Sequence, residues 1–370
     1  MNITKTVLSF ALMLMGLVSQ CQTPNYKIPP LVKAGDVGFV SSELIYPLND
    51  KPTAECHAST IVEISDGTMA AWFGGTEERH PDVGIWVSIN KKGTWSHPVM
   101  VVDGFENDSL RYPCWNPVLF KPSKGPLMLF YKVGPNPNEW WGMLMTSDDE
   151  GKSWSEPRRL GKNSAIGDLL GPVKNKPIEL ADGTIICPSS SEVEVNNKDK
   201  WRVHFELTRD LGKTWEVIGP INDGVEFNAI QPSILTYDKN KMQVLCRTRE
   251  SVVSQSWSMD NGKTWSKMEA TSLPNPNSGT DAVTLKDGRQ LLIYNHTVRK
   301  GEFPSGRNML NVAISKDGKQ WIPIFTLEKK EKGEYSYPAM IQDSKGMVHI
   351  TYTYLRKSVK HVVIDPSKIK

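Results

Sequence analysis

Short apolar runs separated by tight turns recur along the whole chain. In each copy, two segments rich in Val, Ile, Leu, Phe and Tyr flank a turn, such as Asp66-Gly67, that can supply the positive φ angles of a hairpin. Successive copies begin 50 to 60 residues apart. Their first residues are His57, Asn116, Lys176, Gln231, Asp281 and Tyr337. The pattern predicts the first two strands of six antiparallel sheets.

A second motif follows five of the six hairpins. The segments that begin at Ser147, Thr208 and Ser258 fit the pattern S/T-x-D-x-G-x-x-W, and altered versions begin at Ser88 and Ser315. The Asp and the hydroxyl can satisfy the backbone of a tight turn, Gly supplies a positive φ, and Trp packs into the sheet. This Asp-box, repeated at hairpin spacing, predicts an all-β fold: a six-bladed β-propeller of four-stranded antiparallel sheets, forming one domain over residues 35–370.

Both ends of the predicted domain are strand-like. The segment FVSSELIY precedes the first hairpin, and KHVVID follows the sixth. Pairing of these two segments would close the ring and leave no exposed sheet edge, so we predict that closure.

The N-terminus has the features of an export signal. Lys5 precedes an apolar stretch that is too short to span a bilayer, which predicts a signal peptide over residues 1–22. Cys21 could instead carry a lipid anchor. We therefore expect a periplasmic, cell-surface or secreted protein without a membrane span.

Composition narrows the classes of partner. Lys and Arg number 44 against 41 Asp and Glu, and no basic run occurs, so nucleic acid is not an expected partner. Cys56, Cys114, Cys187 and Cys246 show no CxxC or Cys/His spacing, which favours buried free thiols over a metal site. No motif implies a cofactor. The oligomeric state does not follow from the sequence.

The repeat also predicts where a site would lie. The tight hairpins and the Asp-box turns share one face of the ring, so the longer loops occupy the opposite face, where binding residues are expected. The innermost strand of each sheet begins on that face. All six residues that open the repeats, from His57 to Tyr337, are polar, and we predict that they surround the channel mouth as a ligand-binding ring.

These motifs resemble the sialidase (neuraminidase) superfamily over nearly all of the predicted domain. The resemblance implies three arginines on the substrate carboxylate, a nucleophilic tyrosine activated by a glutamate, and an aspartate as acid. Tyr337 matches the tyrosine position, with Tyr335 in EYSY as the competing candidate. Arg247 and Arg307 match the second and third arginines. Asp82 matches the acid, with Arg79 beside it in the same loop.

Two positions depart from the family pattern. His57 stands where the first arginine is expected, and Gln231 stands where the activating glutamate is expected. Gln cannot accept a proton, so a tyrosine with a pKa near ~10 would need another base. His57 could be that base, because the ordinary pKa of His is about 6.5.

Three functions remain open from the sequence. The first is an exo-glycosidase that removes a terminal acidic sugar, with sialic acid as the family default; Asp82 would be the acid and Tyr337 the nucleophile. The second cleaves next to a uronic acid by hydrolysis or elimination, with His57 as base and Arg247 neutralising the carboxylate. The third binds glycans without turnover through stacking aromatic side chains, which would be Trp115, Trp140 and Trp141.

Overall fold

Six antiparallel sheets surround a central axis as the blades of a β-propeller. The computed structural model describes residues 27–195, 198–301 and 305–370, so the predicted signal peptide and Cys21 lie outside the described residues. The strands in chain order are β1 (Phe39–Leu44), β2 (Glu55–Ile64), β3 (Gly67–Gly75), β4 (Gly84–Lys91), β5 (Thr94–Trp95), β6 (Val99–Val102), β7 (Phe105–Asn107), β8 (Leu110–Arg111), β9 (Cys114–Phe120), β10 (Leu127–Val133), β11 (Trp141–Ser147), β12 (Arg158–Arg159), β13 (Ile178–Glu179), β14 (Ile185–Val195), β15 (Lys198–Thr208), β16 (Glu216–Ile218), β17 (Ala229–Thr236), β18 (Met242–Thr248), β19 (Val252–Ser258), β20 (Glu269–Pro274), β21 (Asp281–Thr284), β22 (Gln290–Tyr294), β23 (Met309–Ser315), β24 (Ile322–Lys329), β25 (Tyr335–Gln342), β26 (Val348–Tyr354) and β27 (Ser358–Ile364).

The blades follow one another along the chain. Blade one is β2-β3-β4, with the outer position shared by the short strands β5 and β6. Blades two to five are β9–β12, β13–β16, β17–β20 and β21–β24, and β7 pairs with β8 in a small separate hairpin. One short 3-10 helix, Pro366–Lys368, follows the last strand. The predicted six-bladed all-β fold is confirmed.

The two ends of the domain meet in blade six. Its order is β25-β26-β27-β1, so the first strand of the chain is the outermost strand of the last blade. The register pairs Ser42 with Val362 and Leu44 with Lys360. The predicted pairing of FVSSELIY with KHVVID is therefore confirmed.

Buried apolar side chains fill the spaces between neighbouring blades. One cluster joins each successive pair of blades, including the closing pair of blade six and blade one. The four cysteines of the domain are free and buried, as the sequence predicted. Among the described residues, no helix has the length and apolar character needed to cross a membrane.

The Asp-box side chains stabilise their own turns. The carboxylate of Asp210 accepts hydrogen bonds from the backbone N–H (2.8 Å) and the hydroxyl (2.7 Å) of Thr214. Equivalent bonds from the residue four positions later lower the pKa of Asp149, Asp210 and Asp260 to about 2. Since these carboxylates accept hydrogen bonds from the backbone of their own turns, the role of the Asp-boxes is structural.

Candidate functional site

A β-bulge near the start of the inner strand recurs in four blades. In blades one, two, four and six, two residues of the inner strand oppose one residue of its neighbour. The first bulge residue has a left-handed backbone, with φ of 54°, 42°, 56° and 50° at Ala58, Asn116, Gln231 and Tyr337. Such φ values are costly for residues other than Gly and concentrate at functional positions.

The bulges correct the predicted register in two blades. The counterpart of Tyr337 in blade one is Ala58, and His57 is the residue before it. In blade three, Lys174 rather than Lys176 has a left-handed φ, of 70°. Its Nζ donates to the backbone carbonyls of Thr280 (2.5 Å) and Pro338, which belong to two other blades. Lys176 was predicted at this position because a Pro follows it, as a Pro follows Asn116, Gln231 and Tyr337 in their repeats.

Tyr337 and Arg247 form the centre of the site. The Tyr337 hydroxyl accepts a hydrogen bond from Arg247 Nη1 (2.5 Å) and a longer one from Gln231 Nε2 (3.4 Å). Arg247 Nη1 also lies 3.3 Å from Gln231 Oε1, and its Nε donates to Asn277 Oδ1 at 2.7 Å. The structure thus brings together Tyr337, Arg247 and Gln231, which come from blades six and four.

A second, partly buried group links Arg307 to Arg356 through Glu334. Glu334 Oε1 accepts from Arg307 Nη1 (2.8 Å), and Oε2 accepts from Arg356 Nε (2.8 Å). Burial acts to raise the pKa of Glu334, but His57, Arg307 and Arg356 outweigh it and hold this pKa well below its usual range. Arg307 Cζ lies 5.5 Å from the centre of the Tyr337 ring. The ionised Glu334 therefore fixes the guanidinium groups of Arg307, which lies beside Tyr337, and of Arg356.

His57 packs directly against the Tyr337 ring. The two ring centres are 4.2 Å apart, and His57 Nδ1 is 2.9 Å from Thr353 Oγ1. Burial and the charge of Arg356 lower the pKa of His57 well below its ordinary value. His57 is consequently neutral near pH 7, so it does not supply the positive charge of an arginine.

Lys176 and Asp281 bind each other. Lys176 Nζ lies 2.8 Å from Asp281 Oδ2, and the buried carboxylate also accepts from Ser233 Oγ and from the backbone N–H of Met340. Both side chains were predicted to contact ligand. In the structure these contacts link four successive blades, from blade three to blade six, and ligand contact by Lys176 and Asp281 stays a prediction. Asn116 is buried at the bulge of blade two.

Asp82 lies in the loop between β3 and β4. Its carboxylate accepts from the backbone N–H (2.9 Å) and hydroxyl (2.7 Å) of Thr76, and it lies 2.8 Å from His80 Nδ1. Burial acts to raise the pKa of Asp82, but Thr76 and His80 outweigh it and lower this pKa. Arg79, in the same loop, is exposed and has a φ of 79°. Both remain predictions as site residues.

The remaining aromatic candidates lie in the packed interior. Tyr335 belongs to the apolar cluster between blades five and six, and burial raises its pKa to about 12. Trp115 and Trp140 are buried against each other, and Trp115 Nε1 donates to the carbonyl of Gly134. Trp141 is half-buried beneath Arg159. Neither Trp115 nor Trp140 presents a free face for sugar stacking.

Comparison with known proteins identifies the family. A family model described as a BNR repeat-like domain matches residues 67–350. The chain belongs to this family. A sialidase from Paraclostridium sordellii is 24% identical over 189 residues, a match that spans 44% of this chain and 46% of that protein.

Solved structures show the same propeller. A protein of unknown function from Dyadobacter fermentans aligns with a TM-score of 0.71 at 16% identity, covering 89% of this chain and 99% of that one. An intramolecular trans-sialidase from Ruminococcus gnavus, in complex with oseltamivir carboxylate, aligns with a TM-score of 0.66 at 14% identity, covering 91% and 99%. The predicted likeness to sialidase-type BNR propellers is confirmed.

Four residues of this BNR-repeat site were missed in the sequence. Glu334 directly precedes the predicted Tyr335, and Asn277 precedes the fifth hairpin, yet neither belongs to a repeated position. Arg356 lies in the turn between β26 and β27, and Lys174 lies two residues from the predicted Lys176. The sequence carries no local signal for these four side chains, because their contacts depend on how the blades close around the axis.

Proposed function

We propose that this protein is an exported glycoside hydrolase that removes a terminal acidic sugar from a glycan, with sialic acid as the first candidate. The observation that carries the proposal is Arg247. Its guanidinium is buried, and none of its hydrogen-bond partners among the described residues, Tyr337, Gln231 and Asn277, is a carboxylate. A buried cation without a hydrogen-bonded anion is costly, whereas a ligand carboxylate would provide two parallel charge-assisted bonds.

The surrounding charges support an anionic ligand. Arg247 and Arg307 both lie within 5.6 Å of the centre of the Tyr337 ring, and Arg356 adds a third guanidinium through Glu334. Burial raises the pKa of Glu192, a carboxyl group close enough to Arg247 to interact with it. The guanidinium groups beside Tyr337 would attract a sugar acid to the site.

Tyr337 is the proposed nucleophile. Neutral His57, whose ring centre lies 4.2 Å from that of Tyr337, would accept the proton of the Tyr337 hydroxyl. The Tyr337 oxygen would then form a bond to the anomeric carbon while the bond from that carbon to the leaving-group oxygen breaks, and Asp82 would give the leaving-group oxygen a proton. Water would then cleave the tyrosyl–sugar bond. Because Thr76 and His80 lower the pKa of Asp82, we expect activity to rise as the pH falls towards the acid range.

The experiment is release of free sialic acid from sialyllactose, with mass detection of products. Tyr337→Phe and Asp82→Asn should each reduce release at least a hundredfold. Tyr335→Phe is the matched control, because it removes a hydroxyl two residues away in the apolar cluster and should retain activity. If no sialoside is cleaved by the unaltered protein, the sialic acid proposal fails.

A second candidate is β-elimination next to a uronic acid. It is favoured by one observation: the hydrogen-bond donors to the Tyr337 hydroxyl are Arg247 and Gln231, and the position expected for a glutamate base is an amide. In this reaction a base removes the proton from C5, the bond to the oxygen on C4 breaks, and a C4–C5 double bond forms. The ultraviolet absorbance of an unsaturated uronide would distinguish it from hydrolysis.

A further inference from the structure

Lys174 is a buried lysine beneath the candidate site. It is 2% exposed. Among the described residues, both hydrogen-bond acceptors of its Nζ are backbone carbonyls, those of Thr280 and Pro338. Pro338 directly follows Tyr337 in the bulge of blade six, so the Lys174 side chain holds the backbone that presents the Tyr337 side chain.

Gly279 shows how close Lys174 comes to the centre of the site. A Cβ placed on Gly279 would lie 3.3 Å from Lys174 Cε, 3.2 Å from Gln231 Oε1 and 3.5 Å from Tyr337 Cδ2. These three side chains therefore surround a single glycine. At such separations, in a site shielded from water, the charge of Lys174 acts on any ligand bound to Tyr337 and Arg247.

Among the described residues, no carboxylate is hydrogen-bonded to Lys174. Asp281 acts on its charge, but the Asp281 oxygens are bound by Lys176, Ser233 and the backbone of Met340. The other charged neighbours, Lys176 and Arg247, are cations. Asp281 thus interacts electrostatically with both lysines, but it forms its ion pair with Lys176.

We propose that Lys174 is the floor of the anion site and takes up a proton when an acidic sugar binds. The inference rests on the proposed function, because it requires a ligand carboxylate near Arg247. Burial, with contributions from Lys176 and Arg247, lowers the pKa of Lys174 to about 7, although Asp281 opposes the shift. A bound anion would favour the ammonium form and raise this pKa again.

The neutral amine keeps the observed geometry. It has two N–H groups, which suffice for the carbonyls of Thr280 and Pro338, and its lone pair accepts the incoming proton from solvent. No covalent bond changes. By linkage, the affinity for an acidic sugar is highest below about pH 7 and falls as the pH rises through the pKa of free Lys174.

The test is calorimetric titration of the full-length protein with N-acetylneuraminic acid, glucuronic acid and galacturonic acid. Each titration is run near pH 7.5, roughly where the protonated fraction of Lys174 should differ most between the free and the ligand-bound protein. Two buffers with different ionisation enthalpies are used. The difference in heat gives the number of protons taken up. We expect net uptake by the unaltered protein with the sugar acid that binds.

Two variants separate charge from hydrogen bonding. Lys174→Gln keeps two N–H donors but cannot titrate, so uptake should vanish and affinity near pH 6 should fall roughly tenfold. Lys174→Arg keeps the charge, so affinity should stay high while uptake vanishes. The control is Lys132→Gln, which alters another buried lysine bound by backbone carbonyls, those of Leu169, Leu170 and Gly171; its uptake should match that of the unaltered protein.

The possible results differ for the two proposals. Binding without proton uptake, or uptake that persists in Lys174→Gln, overturns the role of Lys174 and leaves the acidic-sugar proposal intact. Absence of binding by all three sugar acids overturns both. Thermal unfolding of each variant shows whether a loss of binding reflects a loss of fold.

Discussion

Replacing Glu334 by Gln tests the electrostatic framework of the site. Glu334 accepts hydrogen bonds from Arg307, Arg356 and Ser336 at 2.7 to 2.8 Å, and its side chain is 15% exposed. Glu334→Gln preserves the shape but leaves the buried Arg307 without its carboxylate. Breaking a largely buried ion pair in this way costs about 3 kcal/mol of the free energy of unfolding. For a chain of this length the melting temperature should fall by about 4 °C.

The effect should depend on pH with a definite sign. The folded-state pKa of Glu334 lies below the unfolded value of about 4.3. Its stabilising contribution is therefore fully present above about pH 4.3 and is lost as the pH falls below that value. The difference between Glu334→Gln and the unaltered protein should be largest near neutrality and shrink at about pH 3.

Thermal unfolding followed by tryptophan fluorescence at both pH values provides the measurement. Glu150→Gln is the control, because Glu150 accepts from Ser65 on an exposed turn and the change should alter the melting temperature by less than about 1 °C. A fall of less than 1 °C in Glu334→Gln, or a fall of equal size at both pH values, would refute the reasoning.

Three further changes test other parts of the molecule. Trp321→Ala removes the buried Trp of the fifth Asp-box and should cost about 3–5 kcal/mol of unfolding free energy by chemical denaturation; a cost below 1 kcal/mol would contradict a structural role for the box. Gly279→Ala inserts a methyl group against Lys174 and Tyr337. By calorimetry, it should weaken binding of an acidic sugar roughly tenfold, with little change in melting temperature, and unchanged affinity would show that the glycine is not part of the site. Glu43→Gln should lower the melting temperature near neutrality but not in acid, because the hydrogen bond from His361 lowers the pKa of Glu43; equal melting temperatures at neutral pH would show that this contact does not stabilise ring closure.

The repeat pattern was sufficient to predict the propeller. Hairpin turns and Asp-boxes depend on local φ preferences and on hydrogen bonds between residues two to four apart, so their signal is present in the sequence itself. The pairing of the two ends was predictable for a related reason, since a ring of six blades leaves only those segments unpaired.

The site was predicted less completely, and the reason is physical. Tyr337, Arg247, Arg307 and Gln231 could be proposed from the sequence because they occupy repeated or family-matched positions, and the structure places their side chains near one another. Arg356 and Lys174 approach the centre from a turn and a loop, and their contacts cross from one blade to another. Such contacts depend on the closed ring, and neither strand periodicity nor turn chemistry encodes them.

The pairing of β1 with β27 has a consequence for how the molecule assembles. Glu43 and His361 make contact across 318 positions of the chain, so blade six cannot be completed until β27 has been synthesised. Five blades can form from neighbouring segments, but the sixth needs β1, which is synthesised long before its partner β27. Joining the two ends of the propeller domain and opening the chain between two other blades should therefore yield a permuted protein with the same architecture and a different order of assembly.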